Sequence, residues 1–129
     1  MILAVCVDDR MGLSFCGRRL SKDRVIRDKL TELSGGRLRM SPYSAKQFEG
    51  FVYGGTDYLI GASDGDWCFA ENDDYLAVSE KLEKIVLFRW NRAYPADLHF
   101  QIPEGWHMTA REDFPGNSHE KITMEVYEP

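Results

Sequence analysis

The chain has 129 residues, of which 43% are hydrophobic and 29% are charged, and its formal net charge is −5. We expect a single domain over residues 1–129, because this length is that of one ordinary domain and too short for two. No apolar run approaches the roughly 18 to 20 residues that cross a bilayer, which argues against a membrane protein. The N-terminus has only a short apolar run and no basic stretch before it, so it indicates a first strand and not a signal peptide.

The cysteines and the charge distribution narrow the class of protein further. Cys6, Cys16 and Cys68 are odd in number and show no C-x-x-C spacing, so they indicate neither a disulfide scaffold nor a zinc–thiolate site. We therefore expect a cytoplasmic protein without a metal. Residues 1–47 hold ten Lys and Arg against five Asp and Glu, whereas residues 48–129 hold six against sixteen. This asymmetry indicates either a basic surface that binds a ligand, or a folded surface on which the charges of the two sequence halves intermix.

The apolar pattern of the N-terminal third predicts a strand followed by a helix. Residues 2–8 form a continuous apolar run, which is typical of a strand buried on both faces. Apolar side chains then recur at helical spacing between Ser21, a good N-cap, and the stop at Gly35-Gly36. The sequence therefore predicts a helix over about 21–34.

The rest of the chain alternates strands and helices and then contains only strand signals. The predicted elements are a strand at 38–40, a short helix at 44–48, a glycine-rich hairpin or loop at 49–65, a strand at 67–70, a helix from 73 or 74 to 81, a strand at 85–90, and β signals at 97–101, 106–114 and 119–127. Alternation implies right-handed crossovers and parallel strands. We expect an α/β fold with a mainly parallel central sheet that ends in an antiparallel C-terminal hairpin.

Several short motifs resemble dihydrofolate reductase. The C-terminal part shows a D-x-H-F-P-like segment, a Trp-containing strand and an N-S-H-x-x-x-x-x-E-x-x-E close, carried by Asp97, His99, Phe100, Trp106, Asn117, Ser118 and His119. Near the N-terminus, VDDRMG resembles the V-D-x-x-x-G loop opening of that family. The resemblance is to a truncated bacterial member, and it implies a dihydrofolate-reductase-like three-layer sandwich. It also places Asp23, in Leu20-Ser21-Lys22-Asp23, where the family has the acid that faces the pterin.

The motifs with which that family binds its cofactor are not retained. The G-R-x-T turn of the family is replaced here by Ser41-Pro42-Tyr43-Ser44, and its Gly-Gly pair by Glu71-Asn72 followed by two aspartates. The strand threonine is replaced by Phe88, and the adenosine-binding subdomain is reduced to residues 49–65. Pyrophosphate docks where glycines and a helix N-terminus present backbone N–H groups. The carboxylates at 71–74 would instead repel it, at roughly 4 kcal/mol for one pair about 4 Å apart. We expect no nicotinamide cofactor, and no other cofactor.

Asp23 is the candidate catalytic residue. In the reductase family such an acid hydrogen-bonds the pterin and acts in proton transfer, so the resemblance implies a general-acid role. The alternative is a first-turn acid that stabilises the helix dipole. The sequence leaves both open.

Arginines and aromatic residues supply the candidate ligand-binding positions. Arg18, Arg19 and Arg24 form a basic cluster that suits an anionic ligand or a nucleic-acid backbone, or else a solvated helix face. Trp90 and Arg92 belong to a run that interleaves aromatics with arginines. That mixture suits base stacking, a protein hot spot or a strand with one buried face.

Three classes of function follow from these observations. The leading hypothesis is a non-catalytic binding or adaptor module, with an unidentified protein or small molecule as its partner, because fold does not fix function. The second is a small reductase that acts on a pterin-like or nucleotide-like substrate through Asp23. The third is a nucleic-acid-associated protein of a mobile element that uses the basic cluster. Whether any reaction is catalysed stays open at this point.

Overall fold

The structure is a computed structural model that describes residues 1–48 and 52–129. Its strands are β1 (Ile2–Val7), β2 (Gly12–Phe15), β3 (Arg18–Arg19), β4 (Leu38–Met40), β5 (Tyr53–Gly54), β6 (Trp67–Phe69), β7 (Lys84–Arg89), β8 (Leu98–His99), β9 (His107–Phe114) and β10 (Ile122–Glu128). The helices are α1 (Arg24–Ser34), α2 (Pro42–Ala45) and a 3-10 segment, Asp73–Lys81. None of these helices is long and apolar enough to cross a membrane.

Seven of the strands form one mixed sheet in the order β5-β4-β6-β1-β7-β10-β9. The first five strands of this order run parallel to one another, whereas β10 is antiparallel to both β7 and β9. A second, small sheet joins β3, β2 and β8 in antiparallel pairs. The prediction of an α/β fold with a mainly parallel sheet and an antiparallel C-terminal hairpin is therefore confirmed.

The central strand β1 explains why its sequence is continuously apolar. Leu3 and Val5 face a core that includes Tyr75 and Val78 of the 3-10 segment. Ala4 and its neighbours on the other face of the sheet pack in a second core, which includes Ile26 and Leu30 of α1. A strand that is covered by apolar layers on both faces has no solvent-exposed face, so its sequence shows no alternation of polar and apolar residues.

The N-terminal end of α1 differs from the prediction. The helix begins at Arg24, and its N-cap is Asp23, whose carboxylate accepts the N–H of Val25. Ser21 does not cap it, because its hydroxyl contacts the imidazole of His119 instead. Two good N-cap residues lie close together here, and a contact with a distant loop decides between them.

The middle of the chain differs in three places. Helix α2 begins at Pro42, capped by Ser41, and ends before most of the predicted helix at 44–48. The segment 73–81 is a 3-10 helix broken at Val78, where φ is −126° and ψ is 25°. The predicted excursion at 49–65 contains β5, which pairs in parallel with β4 and so is not half of a hairpin. Residues 49–51 of that excursion lie outside the described residues.

The carboxyl ends of the parallel strands meet at one edge of the sheet. Strands β1, β6 and β7 end there, and Asp8, Glu71 and Trp90 follow them closely in the chain. In open α/β sheets ligands bind outside this edge. The structure therefore locates the candidate site there, beside the β2–β3 hairpin and the start of α1.

Candidate functional site

An ion pair occupies the carboxyl end of β6. Glu71 lies just beyond the strand and is only 7% exposed, and Arg19 of β3 reaches across to it. The Nε of Arg19 donates to Oε2 at 2.9 Å, and Nη2 donates to Oε1 at 3.2 Å. This bidentate arrangement is the strongest geometry that a guanidinium and a carboxylate can adopt. The space just beyond the carboxyl end of β6 is therefore occupied by this ion pair.

Further contacts attach α2 to the same carboxylate. Ser44 Oγ donates to Oε1 of Glu71 at 2.8 Å, and Gln47 Nε2 donates to the same oxygen at 3.1 Å. The guanidinium of Arg19 also lies 4.3 Å from the centre of the Tyr43 ring. The polar side chains of Ser44 and Gln47 are thus engaged by the chain's own glutamate.

Asp23 lies in a second cluster, fully buried at the start of α1. Besides capping the helix, its carboxylate accepts the backbone N–H groups of Asn117 and Ser118, each at 2.9 Å, and the Ser118 hydroxyl at 3.2 Å. Burial alone would raise the pKa of Asp23, but the N–H donors of Asn117, His119 and Ser118 outweigh it and hold the pKa well below its ordinary value of 3.8. The carboxylate is therefore ionised at neutral pH.

His119 connects this carboxylate to two hydroxyl groups. Its Nδ1 lies 2.9 Å from Oδ2 of Asp23, and its Nε2 lies 3.1 Å from both Ser21 Oγ and Tyr94 Oη. Because an ionised carboxylate only accepts, Nδ1 must donate, and in the neutral ring Nε2 accepts from the hydroxyls. The imidazole also stacks on Trp90, with ring centres 4.6 Å apart. The cluster joins α1 to the loops that follow β7 and β9.

The chain of contacts from Ser21 through His119 to Asp23 has the connectivity of a hydrolase triad. A nucleophile also needs a space about 3 Å away for the reacting atom. The cavity beside Ser21, walled by Arg19, Glu71 and other side chains, measures about 10 Å³, which holds about one water molecule. No acyl substrate fits there, and the hydroxyl of Tyr94 shares Nε2, so this geometry does not support hydrolysis.

The third buried acid at this edge, Asp8, also stabilises loops. Its Oδ1 accepts the N–H of Gly12 at 2.7 Å, and its Oδ2 accepts the N–H of Tyr94 at 3.0 Å. These donors lower the pKa of Asp8 although burial opposes them. Across residues 1–48 and 52–129, every buried side-chain nitrogen or oxygen has a hydrogen-bond partner. The same ranges contain no group of three side chains that could hold a metal ion.

The structure separates the predicted ligand-binding residues into two groups. Arg19 is held in its ion pair, and Trp90 is only 4% exposed beneath His119. Arg18, Arg24 and Arg92 are exposed on segments at the same edge of the sheet. Of these, Arg24 donates to the side chain of Asn117 at 3.1 Å. Only the second group presents free charge to a ligand.

The carboxylates at 71–74 differ from one another in their surroundings. Arg19 neutralises Glu71, whereas Asp73 and Asp74 are exposed and Asp74 accepts the neutral hydroxyl of Tyr58 at 2.8 Å, so only one of the three carboxylates has a counter-charge. The Arg19–Glu71 pair therefore adds side-chain occupancy at this edge to the charge of the two aspartates. Nothing in the local sequence identifies Arg19 as the partner of Glu71, because 52 positions separate them. The one usable signal is that a charged residue directly after a buried strand needs a partner.

Comparison of the chain with protein-family models and with curated proteins finds no match. Its function therefore has to be inferred from the geometry of its own residues.

Proposed function

We propose that the chain is a non-catalytic binding module on a dihydrofolate-reductase-like scaffold, and that its partner is a protein. The mainly parallel sheet with an antiparallel C-terminal hairpin supports the scaffold. One observation carries the functional part: the edge of the sheet where a ligand would enter is filled by the Arg19–Glu71 pair and by the cluster around Asp23. These groups satisfy one another.

A dinucleotide would have to break this arrangement to bind. Removing one partner of a buried ion pair typically costs about 3–5 kcal/mol, because the other charge is left without compensation. A penalty of about 3 kcal/mol weakens a dissociation constant by more than about a hundredfold. The helix ends offer no compensation, since Asp23 already caps α1 and Ser44 of α2 already donates to Glu71.

The reductase alternative requires a group that can deliver a proton. A general acid works best when its pKa lies near the operating pH. The donors around Asp23 lower its pKa, and its oxygens already accept hydrogen bonds from α1 and the loop after β9. Asp23 in this setting supports the structure of the edge and favours the binding module over the enzyme.

A ligand panel tests the proposal directly. Thermal unfolding is measured with NADPH, NADH, dihydrofolate, a folate analogue and common nucleotides, beside an authentic dihydrofolate reductase as the positive control. A ligand at a hundred times its dissociation constant adds about 2.7 kcal/mol, which raises Tm by about 10 °C in a domain of this size. We expect no such shift. A saturable NADPH shift that Asp23→Asn abolishes would contradict the proposal and establish the reductase alternative.

A further inference from the structure

A second concave surface lies outside the closed edge, beside the β2–β3 hairpin. It is a cleft of about 420 Å³, which we call the hairpin cleft, lined by Phe15, Cys16, Arg18, Arg19, Leu20, Tyr94 and Pro95. This volume lies within the range of sites that accept a side chain or a small molecule. Its walls are mostly apolar, and its charge comes from arginine.

The hairpin presents an aromatic ring and a guanidinium side by side. Phe15 is 46% exposed and lies directly across from Arg18 in the β2–β3 pair. The backbone around them is fixed, because Asp97 accepts the N–H of Cys16 at 3.1 Å and Tyr43 Oη accepts the N–H of Arg19 at 3.2 Å. Groups that are ordered before binding lose less entropy on association. Exposed phenylalanine and arginine on a rigid hairpin are typical of anchors in protein interfaces.

The segments that line the hairpin cleft, together with the loop that His119 joins to Ser21 and Tyr94, carry an excess of positive charge. Residues 9–24, 91–97 and 115–121 contain six exposed cations: Arg10, Arg18, Lys22, Arg24, Arg92 and Lys121. The exposed carboxylates of these segments are three: Asp9, Asp97 and Glu120. Within the described ranges none of the six cations forms an ion pair. A partner with carboxylates would complement this surface, although the whole chain has a net charge of −5.

We propose that the hairpin cleft docks a segment of a partner protein in which acidic residues flank one apolar side chain. The inference rests on the proposed function, and it names the surface and the chemistry of the partner. The apolar side chain enters between Phe15, Leu20 and Pro95, and its acidic neighbours meet Arg18 and the cations nearby. A nucleic acid fits less well, because Trp90, the aromatic ring that could stack on a base, is buried beneath His119.

Peptide selection tests this surface without knowledge of the natural partner. A phage library of random dodecapeptides is selected on the intact protein and counter-selected on the Arg18→Glu variant. We expect enriched peptides with Asp or Glu on both sides of an aromatic or aliphatic residue. Fluorescence anisotropy of the consensus peptide should then show dissociation constants weakened about tenfold, or about 1.4 kcal/mol, by Phe15→Ala and by Arg18→Glu.

Matched variants on β9, an edge strand of the large sheet, control for effects that follow from the loss of any exposed side chain. Met108 of β9 is 43% exposed, so Met108→Ala removes a comparable apolar surface, and Arg111→Glu reverses an exposed charge. Both should leave peptide affinity unchanged. Because Phe15 and Arg18 are exposed, their variants should keep the wild-type midpoint of urea unfolding, which shows that they remain folded.

Several results would overturn the inference. They are the absence of any enriched peptide, a consensus without acidic residues, and equal affinity of the wild type and the Phe15 or Arg18 variants. Binding of a short oligo(dT) that depends on Phe15 and Arg18, in the absence of peptide binding, would reassign the surface to nucleic acid. If no peptide binds and NADPH does not bind either, only the proposed docking surface is refuted. If NADPH binds with micromolar affinity, the proposed function is refuted whether or not peptides bind.

Discussion

Replacing Asp23 with alanine tests whether this acid supports the fold or serves chemistry. The substitution removes the N-cap of α1 and the acceptor for Asn117, Ser118 and His119. If Asp23 is the residue that joins the loop after β9 to α1, its loss should destabilise the protein strongly. If Asp23 were a strained catalytic group, its removal would lower the free energy of unfolding only slightly or would even raise it, because catalytic groups are commonly held at the expense of stability.

The magnitude follows from the contacts that are lost. An N-cap contributes about 1 kcal/mol, and a hydrogen bond to a charged group contributes about 1.5–3 kcal/mol. Contacts that share one carboxylate are not additive, so we expect a total loss of about 4 kcal/mol, similar to that for breaking a buried ion pair. Domains are stable by only about 5–15 kcal/mol, and the variant should therefore unfold at a much lower urea concentration.

Equilibrium urea unfolding near neutral pH measures this loss. Asp23→Asn is the conservative variant: asparagine caps helices well but carries no charge, so it should lose about half as much stability. Asp28→Asn is the matched control, because Asp28 is exposed on the same helix and should change stability by less than about 0.5 kcal/mol. A loss below about 1 kcal/mol for Asp23→Ala would refute the structural role.

The same carboxylate should make stability depend on pH in a defined direction. The pKa of Asp23 is lower in the folded protein than its ordinary value of 3.8, so the folded state favours the ionised form. The resulting stability is present above the unfolded pKa and is lost as the pH falls below about 4. The difference in unfolding free energy between wild type and Asp23→Asn should therefore shrink at acid pH. A difference that grew at acid pH would contradict this reading.

Three further predictions concern the same edge of the sheet. Arg19→Met should destabilise the protein by about 3 kcal/mol in urea unfolding, because Glu71 would stay buried without its counter-charge; a neutral result would mean that the pair is not buried in solution. Gly116→Ala should cost about 1–3 kcal/mol, since the new Cβ would lie 2.7 Å from Oδ2 of Asp23, and unchanged thermal unfolding would refute that packing. Titration with a thiol reagent should modify only Cys16 in the native protein, because the other two thiols are buried, and rapid labelling of all three would contradict it.

The sequence predicts most of the sheet for identifiable reasons. Strand β1 reads as a continuous apolar run because apolar layers cover both of its faces, and β4 is found at the predicted residues 38–40. The C-terminal hairpin is predictable because helix signals are absent after residue 90. The two-residue strand β5 is not, since its glycine-rich surroundings have no periodicity and the strand exists only by pairing with β4.

The candidate site is less predictable, because it consists of long-range contacts. The sequence identifies Asp23 as a residue of interest, but it does not show that its carboxylate accepts hydrogen bonds from a loop more than ninety positions away. The pairing of Arg19 with Glu71 across 52 positions likewise leaves no local pattern. The uneven distribution of charge along the chain is similarly ambiguous, because the sequence does not show that exposed Arg18 lines the same cleft as Tyr94 and Pro95.

A titration of the isotopically labelled protein with NADPH, followed by amide NMR, tests the closed edge most directly. The amide signals of Arg19, Ala70 and Glu71 report on the ion pair at the carboxyl end of β6. We predict that these signals stay in place up to millimolar NADPH. Saturable shifts of the same signals at micromolar NADPH would show that the cofactor binds at the ion pair, and they would contradict the proposed binding module with its closed edge.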